Sequence, residues 1–233
     1  MQAVILAGGL GTRLGDLTKQ VPKPMVRVAG KPYLEHQLAE LRRQGLTDIL
    51  VLTGYLGNQI ESHFKDGSQF ELSIRYSREV TPQGTGGALR DATLLLADEF
   101  VVIYGDSYLP IDYAAVLARL ADHPAAVGVA VVYDNTESTT VQNNIALDDS
   151  HYVTRYAKET PQTPDLRYVE SGVLAFRREV VDFLPTGRPV SLEKDAFPAL
   201  IKLRRLLGFV TRQRFYDIGT PDRLAAIERL FAS

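Results

Sequence analysis

The 233-residue sequence contains no cysteine and no tryptophan. The missing thiol excludes disulfides, thiolate nucleophiles and Cys-ligated zinc. Histidine is almost as scarce. His36, His63, His123 and His151 stand far apart, and none forms a His-Glu-x-x-His pair, so zinc is not expected. No apolar run approaches the ~20 residues that cross a bilayer. Met1-Gln2-Ala3 lacks a basic segment, and the apolar run behind it stops at Gly8-Gly9. A secretory leader is therefore not expected, and the cytoplasm is the expected compartment. Excess charge is also lacking: 26 Lys and Arg against 28 Asp and Glu leave a formal −2. Nothing in that balance draws the chain to nucleic acid or to a membrane, and neither is expected as a partner. A phosphate site, if present, must be a local cluster.

Such a cluster opens the chain. Val4-Ile5-Leu6 has the continuous apolar character of a strand buried on both faces. Ala7-Gly8-Gly9-Leu10-Gly11-Thr12 follows, and glycines in such a turn let backbone N–H groups approach an anion. Arg13 adds a planar, permanently charged fork suited to phosphate oxygens. Pro22-Lys23-Pro24 holds one lysine between two residues of fixed φ. A P-loop would need Lys-Ser/Thr after its last glycine, where Thr12-Arg13 stands. A dinucleotide fingerprint would need glycine at position 14, which is Leu14. The residues describe a polyphosphate cradle of another kind.

LAGGLGTRL followed by PKPM resembles the signature of the sugar-1-phosphate nucleotidylyltransferases, which join a nucleoside monophosphate to a sugar phosphate. Further matches run along almost the whole chain. The resemblance implies that Leu6, Ala7, Gly8, Gly9, Gly11 and Thr12 bind the nucleotide, with Arg13 and Lys23 on its phosphates. Pro82-Gln83-Gly84-Thr85-Gly86-Gly87-Ala88 is a second glycine-rich loop, where a flat ring can pack on backbone while Gln83 and Thr85 bond its edge. In the family the matching loop contacts the base, which implies that role for Gln83, Gly84, Thr85 and Gly86.

Strands alternate with helices at a spacing that argues an α/β fold, a Rossmann-like, doubly wound, mainly parallel sheet. Strands are expected over Ile49–Leu52, Leu72–Tyr76, Phe100–Tyr104 and Ala126–Val132, with helices over Tyr33–Gln44, near Ile60–Phe64, from the second glycine loop to about Leu96, and around Tyr113–Leu120. The chain reads as a single domain, with a nucleotide-binding half over about 1–135 and a sugar-binding half, ending in a helix, over about 140–233. In the second half Asn144–Leu147 and Tyr152–Tyr156 suggest an antiparallel hairpin turning at Asp148-Asp149.

Gly105-Asp106 closes a buried run, where a carboxylate faces the crevice at the strand ends and suits a hard cation. The resemblance implies that Asp106 is a Mg²⁺ ligand and that Asp217, in Tyr216-Asp217-Ile218-Gly219, is the second. It further implies that Lys158 contacts the sugar phosphate, although its neighbours Ala157 and Glu159 depart from the family's Glu-Lys-Pro. Gly172, in Glu170-Ser171-Gly172-Val173, matches a strand beside the sugar. Ser191-Leu192-Glu193-Lys194-Asp195-Ala196-Phe197-Pro198 resembles an element of the mannose- and heptose-type enzymes, with Ser191 as N-cap and Glu193 reaching sugar hydroxyls or lying exposed in a first turn.

The implied reaction is NTP plus sugar 1-phosphate giving NDP-sugar and pyrophosphate. The compact length and the SLEKDAFP element most resemble the D-glycero-α-D-manno-heptose 1-phosphate guanylyltransferases, which implies GTP with that sugar phosphate; mannose 1-phosphate is a near neighbour. Asp66-Gly67-Ser68 through Ser77 instead resembles the N-acetylmuramate 1-phosphate uridylyltransferases, which would make UTP the donor. No hexapeptide-repeat acyltransferase segment is expected, and a homodimer is compatible with the sequence. Two readings of other classes remain open. One is a nucleotide-sugar-binding domain without turnover; the other is a hydrolase with nucleophilic Ser107 in Gly105-Asp106-Ser107 and Asp148-x-x-His151.

Overall fold

Side-chain alternation along the first strand, β1 (Gln2–Ala7), sets the layering. Ala3, Ile5 and Ala7 enter one core cluster while Val4 enters another, because successive side chains of a strand leave opposite faces. A computed structural model describes residues 1–137, 139–158 and 163–232. Six further strands join β1: β2 (Asp48–Thr53), β3 (Ser73–Arg78), β4 (Glu99–Tyr104), β5 (Gly128–Tyr133), β6 (Val169–Arg177) and β7 (Leu206–Thr211). Their spatial order is β7-β5-β6-β4-β1-β2-β3. All neighbours are parallel except β6, which runs antiparallel to both β4 and β5. The second half of the chain thus places a strand in the middle of the sheet that the first half began.

Helices α1 (Tyr33–Arg43), α2 (Gly57–Phe64) and α4 (Tyr113–Ala121) cover one face. On α1, Leu34, Leu38 and Leu41 form the buried stripe, and Gly45 just beyond its end has φ +77°. The opposite face is covered by α3 (Gly84–Asp91) and α5 (Phe197–Lys202). The last helix, α6 (Pro221–Ala232), packs Ile227 against Val28, Tyr33 and Ile218 in a separate small core. Thr220 Oγ1 accepts from Arg223 N at 3.4 Å, and Pro221 takes the first helical position.

Two helix boundaries differ from the sequence expectation. α3 ends at Asp91 rather than near Leu96, because the Thr93 hydroxyl bonds the Arg90 carbonyl and turns Thr93–Leu95 into a tighter coil. The Ser191 segment does begin with a serine cap, its oxygen accepting from Lys194 N at 3.2 Å. Leu192–Ala196 then forms one wide π turn before α5, since Pro198 has no N–H to continue an α ladder. The hairpin is present as Ile145–Leu147 against Val153–Tyr156, and the Asp148 carboxylate closes its turn by accepting from Ser150 N and Tyr152 N, each at 2.9 Å. Among the described residues no helix is long and apolar enough to cross a membrane.

Candidate active site

The carboxyl ends of β1, β2, β3 and β4 surround a cavity of about 460 Å³. It lies where strand order reverses, with β2 on one side of β1 and β4 on the other, and that reversal leaves a crevice in open α/β sheets. The loop from Leu6 to Arg13 forms one wall, joined by Lys23 and Pro24. Gly84, Thr85 and Ala88 of α3 face it, and Tyr104-Gly105-Asp106 completes it. The two glycine-rich loops and the aspartate, far apart in sequence, therefore share one space.

Gly11 has φ +66°, and a Cβ there would lie 3.0 Å from Thr18 Cγ2 and 3.1 Å from Lys23 Cβ. Only glycine lets the loop fold against the lysine stem. Lys23, its side chain 11% exposed, ion-pairs with Asp106. Arg13 has no ion-pair partner among the described residues, and its guanidinium passes the Gly219 backbone, where a Cβ would stand 3.5 Å from Nη2. One cation is thus committed to a carboxylate and the other is free in the cavity.

Asp217 lies outside the cavity wall, yet it is tied to Asp106 through backbone. Ser107–Tyr108 pairs antiparallel with Tyr216–Asp217, Ser107 opposite Asp217, and Ile218 N donates to Asp106 O at 3.0 Å. The Asp217 carboxylate accepts from Gly219 N at 2.7 Å and meets Arg223 at 3.1 Å. The hydroxyl of Tyr33 senses both acids. Burial first, then the charges of Asp106 and Asp217, push its pKa well above the usual phenol value.

The remaining expected residues divide between the cavity and its surroundings. Gly86 is buried behind the cavity; its N–H donates to Val190 O at 2.8 Å, so it docks α3 onto the chain before Ser191. Gln83 turns its amide to Thr81 Oγ1 at 2.9 Å. Gly172 has φ +81° at a bulge of β6, and a side chain there would strike Ser107. Lys158 is exposed, its positive charge acting on Glu170. Glu193 is not exposed. Its carboxylate accepts from Ser191 Oγ at 2.6 Å, from Thr85 Oγ1 at 3.2 Å and from the Tyr104 hydroxyl. It pins the second glycine loop to the end of β4.

The hydrolase reading fails on the same geometry. Asp148 is spent on its hairpin turn and on Arg204 at 2.8 Å, and His151 O accepts from Gly208 in β7, three strands from β4 and Ser107. Ser107 Oγ packs on Gly172, and among the described residues no histidine hydrogen-bonds it.

Two polar side chains not anticipated from the sequence line the cavity, Glu79 and Tyr104. Glu79 follows β3 directly, so the strand-end rule that singled out Asp106 points to it as well. Its carboxylate accepts from Gln83 N at 2.8 Å and presses on the main chain at Gly8 and Gly54, where a Cβ would come within 2.8 and 2.6 Å. Burial raises its pKa.

Glu170, beside the bulge, accepts from Gly172 N at 2.7 Å. Burial, and next the charge of Glu193, lift its pKa from 4.5 to about 8. Between those two values the folded protein keeps a proton that the unfolded chain has released, so stability falls as pH rises through that window. Melting temperature is expected to drop between pH 5 and pH 8.5, and Glu170→Gln is expected to flatten that slope. An equal slope in both proteins would assign the pH dependence elsewhere.

A nucleotidyl transferase family model matches residues 2–232. The mannose-1-phosphate guanylyltransferase of Mycobacterium tuberculosis is 33% identical over 225 residues, which cover 95% of this chain and 62% of that protein. The chain therefore spans under two thirds of the length of this relative. D-glycero-alpha-D-manno-heptose 1-phosphate guanylyltransferases are nearer in length: that of Aneurinibacillus thermoaerophilus is 29% identical over 95% of this chain and 94% of its own. The crystal structure of HddC from Yersinia pseudotuberculosis, complexed with GMP-PN, superposes with a TM-score of 0.81 at 26% identity and covers 99% of both chains. With a glycine-walled cavity at the switch point, and a family match from the first strand to the last helix, this chain belongs to the nucleotidyl transferase family.

Proposed function

We propose that this chain transfers a nucleoside monophosphate from an NTP to a sugar 1-phosphate, with GTP and D-glycero-α-D-manno-heptose 1-phosphate as substrates. The observation that carries the reading is the cavity itself. It brings the phosphate-suited loop, an uncommitted arginine and a Lys23–Asp106 pair within one crevice. An oxygen of the sugar phosphate forms a bond to the α-phosphorus while the bond from that phosphorus to the β-phosphate oxygen breaks, and pyrophosphate leaves. Both reactants are anions, so catalysis consists of holding them in line and neutralising growing charge. Arg13 clamps the β- and γ-phosphates. Lys23 exchanges its carboxylate for a phosphate oxygen, and Lys158 steadies the sugar phosphate.

A divalent cation such as Mg²⁺ fits the donor set. Asp106 and Asp217 stand on turns zipped together through backbone, and carboxylate oxygens are the donors that Mg²⁺ combines with phosphate oxygens and water. Among the described residues no group of three or more acidic or histidine side chains closes around an ion unaided, which suits a cation that arrives with its nucleotide. Asp106 and Asp217 would hold it, and when bound it would supply positive charge beside the α-phosphate.

Guanine is favoured by Glu79. A half-buried carboxylate at the cavity wall accepts two parallel donors, and guanine presents N1–H and N2–H₂ side by side; uracil presents a single N–H. The heptose follows the relatives that match this chain nearly end to end. A pyrophosphate-release screen of four NTPs against heptose, mannose, glucose and N-acetylmuramate 1-phosphates tests both choices. Glu79→Gln is expected to cut kcat/KM for GTP roughly ten- to a hundredfold, the value of one bidentate contact, and to leave UTP turnover almost unchanged. If GTP use survives Glu79→Gln unaltered, the base lies elsewhere.

A further inference from the structure

Tyr33, the first residue of α1, is completely buried, and its hydroxyl has no hydrogen-bond partner among the described residues. A phenylalanine would fill the same space without desolvating an oxygen, so the hydroxyl calls for an explanation. Its ring packs with Val28, Ile218 and Ile227. Ile218 is the residue that joins the two acid-bearing turns, following Asp217 in sequence and donating its N–H to Asp106 O. The charges of both carboxylates reach the hydroxyl.

One helical turn further, on the same side of α1, Gln37 shows a matching pattern. Its amide nitrogen donates to Tyr104 O at 3.0 Å and to Ser107 O at 2.6 Å, bracketing Gly105-Asp106. Its amide oxygen is buried and also unpartnered. One face of α1 therefore presents an unspent hydroxyl and an unspent amide oxygen behind the acid pair. A buried water needs two to four polar partners, and these groups together with the carboxylates supply them.

We propose that Tyr33 is a positioning residue of the cation site, its hydroxyl donating to a water that gives one proton to a carboxylate oxygen of the Asp106–Asp217 pair and the other to Gln37 Oε1. The inference rests on the reading of those aspartates as cation holders. Mg²⁺ and Mn²⁺ keep several waters when bound, and outer hydrogen bonds fix how such waters and their carboxylates are oriented. The hydroxyl would thereby set the position of the acids without touching substrate.

The test is Mn²⁺ binding without turnover, read by electron paramagnetic resonance in the presence of a non-hydrolysable GTP analogue. Tyr33→Phe is expected to weaken Mn²⁺ binding roughly ten- to a hundredfold, the effect of one hydrogen bond in a charged network. Analogue affinity in EDTA should match the wild type, and melting temperature should be equal or higher. Equal Mn²⁺ affinity would overturn the proposal whatever the melting temperature, leaving the hydroxyl a packing defect. Weakened analogue binding in EDTA would overturn it too, since the change would then act on the cavity rather than on the cation. A wild type that binds no Mn²⁺ at all would instead remove the cation reading of Asp106 and Asp217, and this proposal with it.

Discussion

Asp106→Asn and Asp217→Asn are each expected to lower kcat by about 10³-fold, the several kcal/mol that a divalent ion contributes at a transferring phosphoryl group. The two residues stand 111 positions apart in sequence, but Ile218 N to Asp106 O at 3.0 Å and the Ser107–Asp217 pairing fasten their turns together. Each carboxylate is balanced by its own cation, Lys23 for Asp106 and Arg223 for Asp217. Substitution by asparagine keeps shape but leaves Lys23 or Arg223 without its partner, so the fold should survive with a lowered melting temperature. Because both acids serve one ion, the double variant should be hardly slower than the slower single. EDTA should silence the wild type, and added Mg²⁺ should restore it. Losses that multiply independently, or activity indifferent to EDTA, would defeat the shared-ion mechanism.

Arg13→Ala is expected to reduce kcat by about 10²–10³-fold, the usual loss for one group that stabilises transition-state charge. Arg13 is the cavity's uncommitted cation, placed between the glycine loop and the Gly219 turn. No ion pair within the described residues engages it, so its donors are available to a polyphosphate. Arg13→Lys should recover only part of the loss, since an ammonium keeps the charge and gives up the planar fork. A rise in KM alone, with kcat unchanged, would make Arg13 a ground-state binder. Lys23 differs in kind: its partner Asp106 remains after its removal, so Lys23 variants confound two effects where Arg13 variants measure one.

Several features of this site were legible because their causes are local. Val4-Ile5-Leu6 followed by Gly8-Gly9 and Gly11 specifies a buried strand and a loop that only small residues can make. Leu34, Leu38 and Leu41 specify the inner face of α1 through helical period alone. Asp106 was found because a polar residue closing a continuous apolar run has nowhere to lie but at the strand's end.

What tertiary structure decided depends on partners distant in sequence. Val169–Arg177 reads as a strand, yet nothing local says that it enters between β4 and β5 in the opposite direction; burial on both faces and long-range backbone pairing choose that place. Glu193 lay on a recognisable element, but its three hydroxyl partners come from two other elements and one cap, and nothing local announced that clasp. Gly86 sat in a loop suited to a base and was drawn into packing by Val190. In the sequence Tyr33 only opens an expected helix; the fold buries its hydroxyl without a partner, within reach of the charges of two carboxylates. The sequence by itself determined the strands and the loops, since those follow from backbone preference and periodicity within a few residues; the chemistry expected of them came from the resemblance its motifs carry. Tertiary structure decided which carboxylate is free, which is paired and which is buried, because charge and solvation are set by neighbours that only folding brings together.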